Sequence, residues 1–244
     1  MDFTVKDPNG PDIEFECADN WVSRWVCEAI LEGKTYPHLG FVDDIRTVWD
    51  VGANCGATTV HLARHHRDAT IHAFEPGATQ RAYLERNTAA YDNVQVHPIG
   101  LHREDQSVPL YGGTDDTITA SIFQRSVNVE ASEQVELRDA LGWAREHGID
   151  RIDLMKLDVE GCEVEVLESL APLLGDLKVL YVEYDSRYAR RRIDDLLRDT
   201  HELFFGMFMS LDQGDGIYVN KSLVDHPDAM DTLREIVKVE GGDA

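Results

Sequence analysis

From about residue 45 the chain changes its hydrophobic period again and again. Short apolar runs that end on a charged residue alternate with stretches whose apolar positions recur at three and four, as buried strands alternate with helices. Residues 47–50 read as a first strand ending at Asp50, with a helix following through Thr58, Val60, Leu62 and Ala63 to about Arg67. A second strand, 69–75, ends at Glu75, and a helix covers roughly 77–91. Further strands are predicted over 94–99, 152–158 and 178–183, with helices over 135–147, from Glu160 to about Leu174, and over 187–199. Two last strands, 203–211 and 216–221, flank Asp212-Gln213-Gly214-Asp215, a hairpin turn. This order predicts an α/β fold with one doubly wound, mostly parallel, seven-stranded sheet closed by an antiparallel hairpin.

The ends of the chain read differently. Residues 1–20 alternate around Pro8-Asn9-Gly10-Pro11 and predict a short hairpin. Residues 21–35 place Trp21, Val22, Trp25, Val26, Ile30 and Leu31 at helical spacing, and both tryptophans are expected in the core. Residues 36–40 form a loop placed to serve as a lid. Residues 102–131 are acidic and irregular, suiting added strands or an insertion facing the substrate. A short helix is expected after Asp225, with a frayed end at Gly241-Gly242-Asp243-Ala244. The organisation is thus an N-terminal hairpin and helix extension (1–45), a ligand-binding domain (46–225) and a C-terminal tail (226–244).

Composition narrows the setting. The 244 residues are 43% apolar, enough for a sizeable core, and no apolar run approaches the roughly 18 residues of a membrane span. The first residues are neither basic nor apolar enough for a signal peptide, which places the protein in the cytoplasm. A net charge of −23 repels nucleic-acid phosphates and anionic lipid, so neither nucleic acid nor membrane is an expected partner. Cys17, Cys27, Cys55 and Cys162 lack the pair spacing of a metal site and are expected as free thiols.

The chemistry begins at Asp50-Val51-Gly52-Ala53-Asn54-Cys55-Gly56. A strand, an acid, a glycine turn and a helix build a nucleoside crevice at the carboxyl end of a parallel strand. A dinucleotide site wants glycine where Asn54 stands, and an acid beside the turn would repel a pyrophosphate. Asp50 suits the ammonium of an amino-acid moiety instead, as in S-adenosylmethionine. Gly52 and Gly56 let the backbone approach a ligand, and Cys55 lies in the same turn. Glu75 ends the next strand, where a carboxylate accepts hydrogen bonds from two ribose hydroxyls. Pro76 stops that strand. Gly100 and Leu101 are expected to border the adenine. Histidines 61, 65 and 66 are placed mostly on the outer face of their helix, and His102 near the adenine.

A second constellation is Lys156-Leu157-Asp158-Val159-Glu160-Gly161-Cys162-Glu163. Strand alternation puts Lys156 and Asp158 on one face. Asp158 should point into the crevice, while Glu160 and Glu163 suit a helix N-terminus and Lys156 an ion pair with a strand acid such as Glu183. Asp158, Glu183 and Asp185 at neighbouring strand ends offer oxygen ligands for magnesium as a minority mechanism.

These motifs resemble those of the FkbM-type S-adenosylmethionine-dependent methyltransferases. Asp50 to Gly56 is similar to the family's first motif, Phe74-Glu75-Pro76 to its second strand end, Thr119-Ala120-Ser121-Ile122 to its small-residue segment, and Lys156 to Glu163 to its most distinctive run. The resemblance implies a Rossmann-like class I methyltransferase in natural-product or glycan chemistry. It also implies S-adenosyl-L-methionine as methyl donor, Ser121 beside it, and methyl transfer to a hydroxyl oxygen of a small molecule or sugar. Asp158, with Glu183 second, is the expected base that draws away the hydroxyl proton. A nicotinamide oxidoreductase and a non-catalytic nucleoside-binding module share the architecture and are the competing readings.

Overall fold

The computed structural model describes residues 1–6, 10–112, 121–123 and 131–241. Thr119, Ala120 and the expected frayed end at 242–244 lie outside the described residues. The chain begins with an antiparallel hairpin, β1 (Asp2–Val5) and β2 (Ile13–Glu16), followed by α1 (Trp21–Leu31). Then β3 (Thr47–Val51), α2 (Ala57–His65), β4 (Thr70–Phe74), α3 (Ala78–Thr88) and β5 (Val94–His97) alternate. A small sheet follows, from β6 (Gly100–His102), β7 (Gln106–Tyr111) and β8 (Ala131–Asp139). The alternation resumes with α4 (Ala140–Glu146), β9 (Leu154–Leu157), α5 (Glu163–Ser169), β10 (Val179–Tyr184) and α6 (Arg187–Leu197). The chain closes with β11 (His201–Phe208), β12 (Gly214–Asn220), α7 (Lys221–Val224) and α8 (Ala229–Gly241).

The main sheet has seven strands in the order β11-β12-β10-β9-β3-β4-β5, antiparallel only where β12 pairs with β10 and β11. The predicted doubly wound sheet is what the chain forms. Strand order reverses between β3 and β9, and a crevice opens at the carboxyl ends of such a pair. Alternation along β3 serves two layers. Trp49 and Val51 face a core with Phe74, Trp143, Leu157 and Leu167, under α4, α5 and α6. Val48 faces the opposite core with Ile71, Leu154, Tyr181 and Leu62. Each fully buried Leu or Ile side chain contributes about 1.5–3 kcal/mol of transfer free energy.

Several local expectations need correction. Trp21 and Trp25 are 75% and 63% exposed, not core residues. α1 buries its Ser23–Cys27–Leu31 stripe, and Cys27 and Leu31 pack with Ala57 and Val60 of α2. The predicted helix over 135–147 is half strand, because Val135 and Leu137 bury alternately in β8 and Asp139 then caps α4, accepting from Gly142 N–H at 2.9 Å. The helix expected from Glu160 begins at Glu163, and Glu160 precedes it with φ of 57°. His61 is buried between α2 and the chain after α1, not outward, with its ring 4.4 Å from that of His65. The 36–40 loop is pinned, with Tyr36 and Leu39 in the core and Tyr181 OH donating to Pro37 O at 2.6 Å.

Candidate active site

Parallel pairing of β3 with β9 sets Asp50 opposite Lys156 and Val51 opposite Leu157. Asp50 is 0% exposed and Lys156 3%. The Lys156 ammonium lies 3.6 Å from Asp50 Oδ1 and 3.6 Å from Asp158 Oδ2, and donates to Gly52 O at 2.6 Å. Its partners are therefore Asp50 and Asp158, and the expected pair with Glu183 is replaced by contacts nearer to hand. Burial works against the ammonium, but Asp158, Asp50, Glu183 and Glu75 together outweigh it and raise its pKa. Asp50 also accepts from Thr59 Oγ1 of α2 at 2.5 Å. Burial raises its pKa, opposed by Lys156 and Thr59.

The glycine turn that follows is tight for a reason that can be measured. Gly52 has φ of 79°, and a Cβ there would sit 1.8 Å from the carbonyl oxygen of Asp158. No side chain fits. At Gly56, φ 91°, a Cβ would meet Leu84 Cδ1 of α3 at 2.8 Å, so this glycine answers to helix packing. Asn54, φ 51°, is a non-glycine residue in the left-handed region, a conformation that collects at functional sites. Its N–H donates to Glu75 Oε2 at 2.9 Å, and Gly77 N–H donates to Oε1 at 2.7 Å. Glu75 is 8% exposed; burial raises its pKa to about 7 against those two bonds.

The turn after β9 is a mirror of the first. Glu160 and Gly161 take positive φ, and Glu163 Oε1 accepts from Val159 N–H at 3.2 Å and Gly161 N–H at 2.9 Å. Glu163 is thus the clasp of this turn, and burial raises its pKa to about 7. Ser121 Oγ donates to Glu160 O at 2.9 Å and ties the segment before β8 to the same turn. Phe123 closes over Gly161, where a Cβ would lie 3.1 Å from its ring.

Two hollows meet here. The first, about 710 Å³ of empty space partly open to solvent, has Gly52, Asn54, Glu75 and Asp158 along one side. Pro76, Gly100, Leu101, Leu110, Ile122 and Leu137 make an apolar slot on the other, with Ser121 at its edge. The second, about 950 Å³, lies toward α1 and is lined by Cys27, Cys55, Tyr36, Glu160 and Glu183 among others. Gly52, Asn54, Asp158 and Glu160 border both. Asp50 and Gly56 border neither and stand behind the turn. Burial raises Glu183 to about 9, helped by Asp158, Asp215, Glu160 and Asp185. Cys27 and Cys55 face each other, Sγ to Sγ 3.4 Å, as free thiols. His102 is buried against Gln106, its Nδ1 3.0 Å from Nε2, and borders neither hollow.

The first hollow fits a nucleoside. It offers the Glu75 carboxylate together with the apolar side chains of Pro76, Leu101, Leu110, Ile122 and Leu137. Glu75, Asp158 and Glu160 are among its lining residues, and three acids disfavour a dinucleotide's pyrophosphate. Among the described residues no three His, Cys, Asp or Glu side chains converge to hold a metal ion, and Asp185 accepts from Gln213 Nε2 at 2.8 Å. The magnesium alternative finds no support in this donor set. Lys156 was expected in an ion pair but with Glu183; the register of β3 against β9 gives it Asp50 instead. Thr59 and the slot residues Leu110 and Leu137 were not singled out, since no motif in the sequence marks them.

The methyltransferase FkbM domain model matches residues 50–215. A protein of Beauveria bassiana named methyltransferase 1 is 30% identical over 170 residues, covering 60% of this chain and 67% of its own length. The methyltransferase sdnD of Sordaria araneosa is 28% identical over 183 residues, 62% of this chain and 71% of that one. The 2-O-methyltransferase NoeI of Sinorhizobium fredii is 22% identical over 154 residues, 57% of this chain and 63% of its own. Among solved structures, a Methanococcus jannaschii fibrillarin pre-rRNA processing protein superposes with a TM-score of 0.51 at 10% identity, covering 90% of this chain and 83% of that one, a likeness of fold alone. The chain belongs to the FkbM methyltransferase domain family, and it is an S-adenosylmethionine-dependent methyltransferase.

Proposed function

We propose that this enzyme methylates a hydroxyl oxygen of a small molecule, a natural product or sugar among the candidates, with residues 46–225 as the donor-binding domain, 1–45 as a cap and 226–244 as a tail. The observation that carries the reading is Asp158, which stands at the junction of the two hollows. The 2-O-methyltransferase name of NoeI supports oxygen as the acceptor atom. S-adenosylmethionine supplies an electrophilic methyl on a sulfonium.

On this reading Glu75 accepts from the ribose hydroxyls, and Pro76, Gly100, Leu101 and Ser121 border the adenine. Gly52, Asn54 and Cys55 form the turn along the donor. Asp50, through Thr59 and Lys156, together with Gly56, holds that turn in place rather than touching the donor. An alcohol attacks poorly while it keeps its proton. The Asp158 carboxylate would take the hydroxyl proton as the methyl carbon passes from sulfur to oxygen, the electron pair of the broken carbon–sulfur bond staying on sulfur to leave the neutral thioether S-adenosylhomocysteine. Burial pushes Glu183 up to about 9, so it holds its own proton at neutral pH and is suited to donate a hydrogen bond rather than to serve as the second base.

The test is Asp158→Asn. Turnover should drop about 10²–10⁴-fold, with donor affinity by calorimetry changed less than about threefold. Full turnover in the variant removes Asp158 as base. A wild-type protein with no affinity for S-adenosylmethionine overturns the whole reading.

A further inference from the structure

The second hollow reaches α1, and a separate groove of about 1200 Å³ of empty space, partly open to solvent, lies along the same helix. Val26, Cys27 and Ile30 of α1 line the inner hollow, and Trp25 and Ala29 line the groove. Met209, just past β11, borders the inner hollow, while Met207 and Phe205 of β11 border the groove. β10 and β12 join the two across one strand pair, with Glu183 inside paired to Asp215 outside. The two share no lining residue among the described residues, but neighbours on α1, on the β10–β12 pair and at the end of β11 border one or the other, so the hollow and the groove adjoin between α1 and β11.

Their walls have a definite character. Apolar and aromatic groups come from both sides: Val26, Ile30 and the largely exposed ring of Trp25 from α1, and Met207 and Met209 from the end of β11. The charges are lopsided. Asp158, Glu160 and Glu183 lie within, and Asp215, Glu28 and Glu32 lie along the groove. The cations among the described lining residues are Lys156, held by Asp50 and Asp158, and Lys34, paired with Glu32 at 2.5 Å. Such a passage focuses a negative potential and turns anions away. An indole face beside carboxylates favours a cation.

Resting on the methyl-transfer reading, we propose that the hollow and the groove join into one acceptor channel and that its acceptor is a hydroxylated amine with an apolar limb, stacked on Trp25. Trp25 is then a specificity-determining residue remote from the reacting atoms. It also explains why an exposed tryptophan lies on a helix whose opposite stripe already fills the core.

The test uses three probes that differ only at carbon 6 of one skeleton: octyl 6-amino-6-deoxyglucoside, octyl glucoside and octyl glucuronide, below their micelle concentrations. Each is titrated into the enzyme loaded with S-adenosylhomocysteine, and binding is followed by calorimetry. The amine should bind at least about tenfold tighter than the glucuronide, with the neutral glucoside between them. Trp25→Ala should weaken the amine at least about tenfold, and Asp215→Asn should narrow the amine-to-glucuronide ratio. Equal binding of the three probes, tighter binding of the glucoside or glucuronide, no binding of any, or an unchanged affinity in Trp25→Ala overturns the proposal. S-adenosylhomocysteine affinity is measured in the same samples. Its absence overturns the methyl-transfer reading, whereas its presence beside a failed probe series overturns the channel alone.

Discussion

Glu75 accepts two backbone hydrogen bonds before any ligand arrives, from Asn54 and Gly77. Those bonds leave its remaining lone pairs aimed by the turn, so the carboxylate is oriented in advance. Hydrogen bonds to a charged group contribute about 1.5–3 kcal/mol each. Glu75→Ala should therefore weaken S-adenosylmethionine binding roughly 10–150-fold. Calorimetry showing wild-type affinity would remove Glu75 from the ribose role. The same residue shows what a sequence can carry at this scale. An acid at a strand end after a glycine turn is legible, because its place in the chain fixes its place on the sheet edge. Asp50 is legible in position but not in depth: nothing in the sequence says that Thr59 and Lys156 enclose it.

At the scale of elements, the sheet centre depends on one cation. Lys156 of β9 stands opposite Asp50 of β3 and bonds the carbonyl of Gly52, so it fastens the two strands where their order reverses. Removing one member of a buried ion pair leaves an uncompensated charge, at about 3–5 kcal/mol. Lys156→Met should lower the unfolding free energy by that amount in urea, and a variant with an unchanged midpoint would show that the cation is dispensable. Elements with a strong period were readable: every strand of the main sheet was predicted, within a few residues of its ends. What failed was choice between two periods or two faces. In β8, Val135 and Leu137 alternate for a strand, yet the run into Trp143 also satisfies a helix. In α1 the stripe with both tryptophans and the stripe through Ser23, Cys27 and Leu31 are each plausible cores. The choice between them belongs to α2, which presents Ala57 and Val60 to the second.

For the molecule as a whole, buried titratable groups pull stability in opposite directions with pH. Burial, the largest influence on each, lowers His61 to about 3 and His66, His72 and His97 to about 4. The unfolded chain takes up these protons below its ordinary histidine value of 6.5 and the folded chain does not. Stability thus falls as pH drops from 6.5 toward 4. The buried carboxyls act in reverse. Glu75 and Glu163 keep their protons to about 7 and Glu183 to about 9, while the unfolded chain releases them from 4.5 upward. Stability therefore also falls as pH rises from 4.5 toward those values. The melting temperature of the ligand-free protein should peak between about pH 5 and 7. Glu183→Gln should flatten the limb from pH 7 to 9 and, because unfolded Glu183 releases its proton from about 4.5, steepen the rise between pH 4.5 and 6.5. An equally steep alkaline limb in that variant would assign it to other groups. Among the described residues no helix is long and apolar enough to cross a membrane.

The missing side chain at Gly52 has a wider result. Main chain rests on main chain there, against the Asp158 carbonyl, so on the proposed mechanism the donor's seat and the proton acceptor are cut from one block and shift only together. On that mechanism, adaptation to a new acceptor has no slack to exploit in that block. It must proceed by recarving the outer pieces, α1 and the β11–β12 hairpin, which can be redrawn while the chemistry beneath them stays untouched.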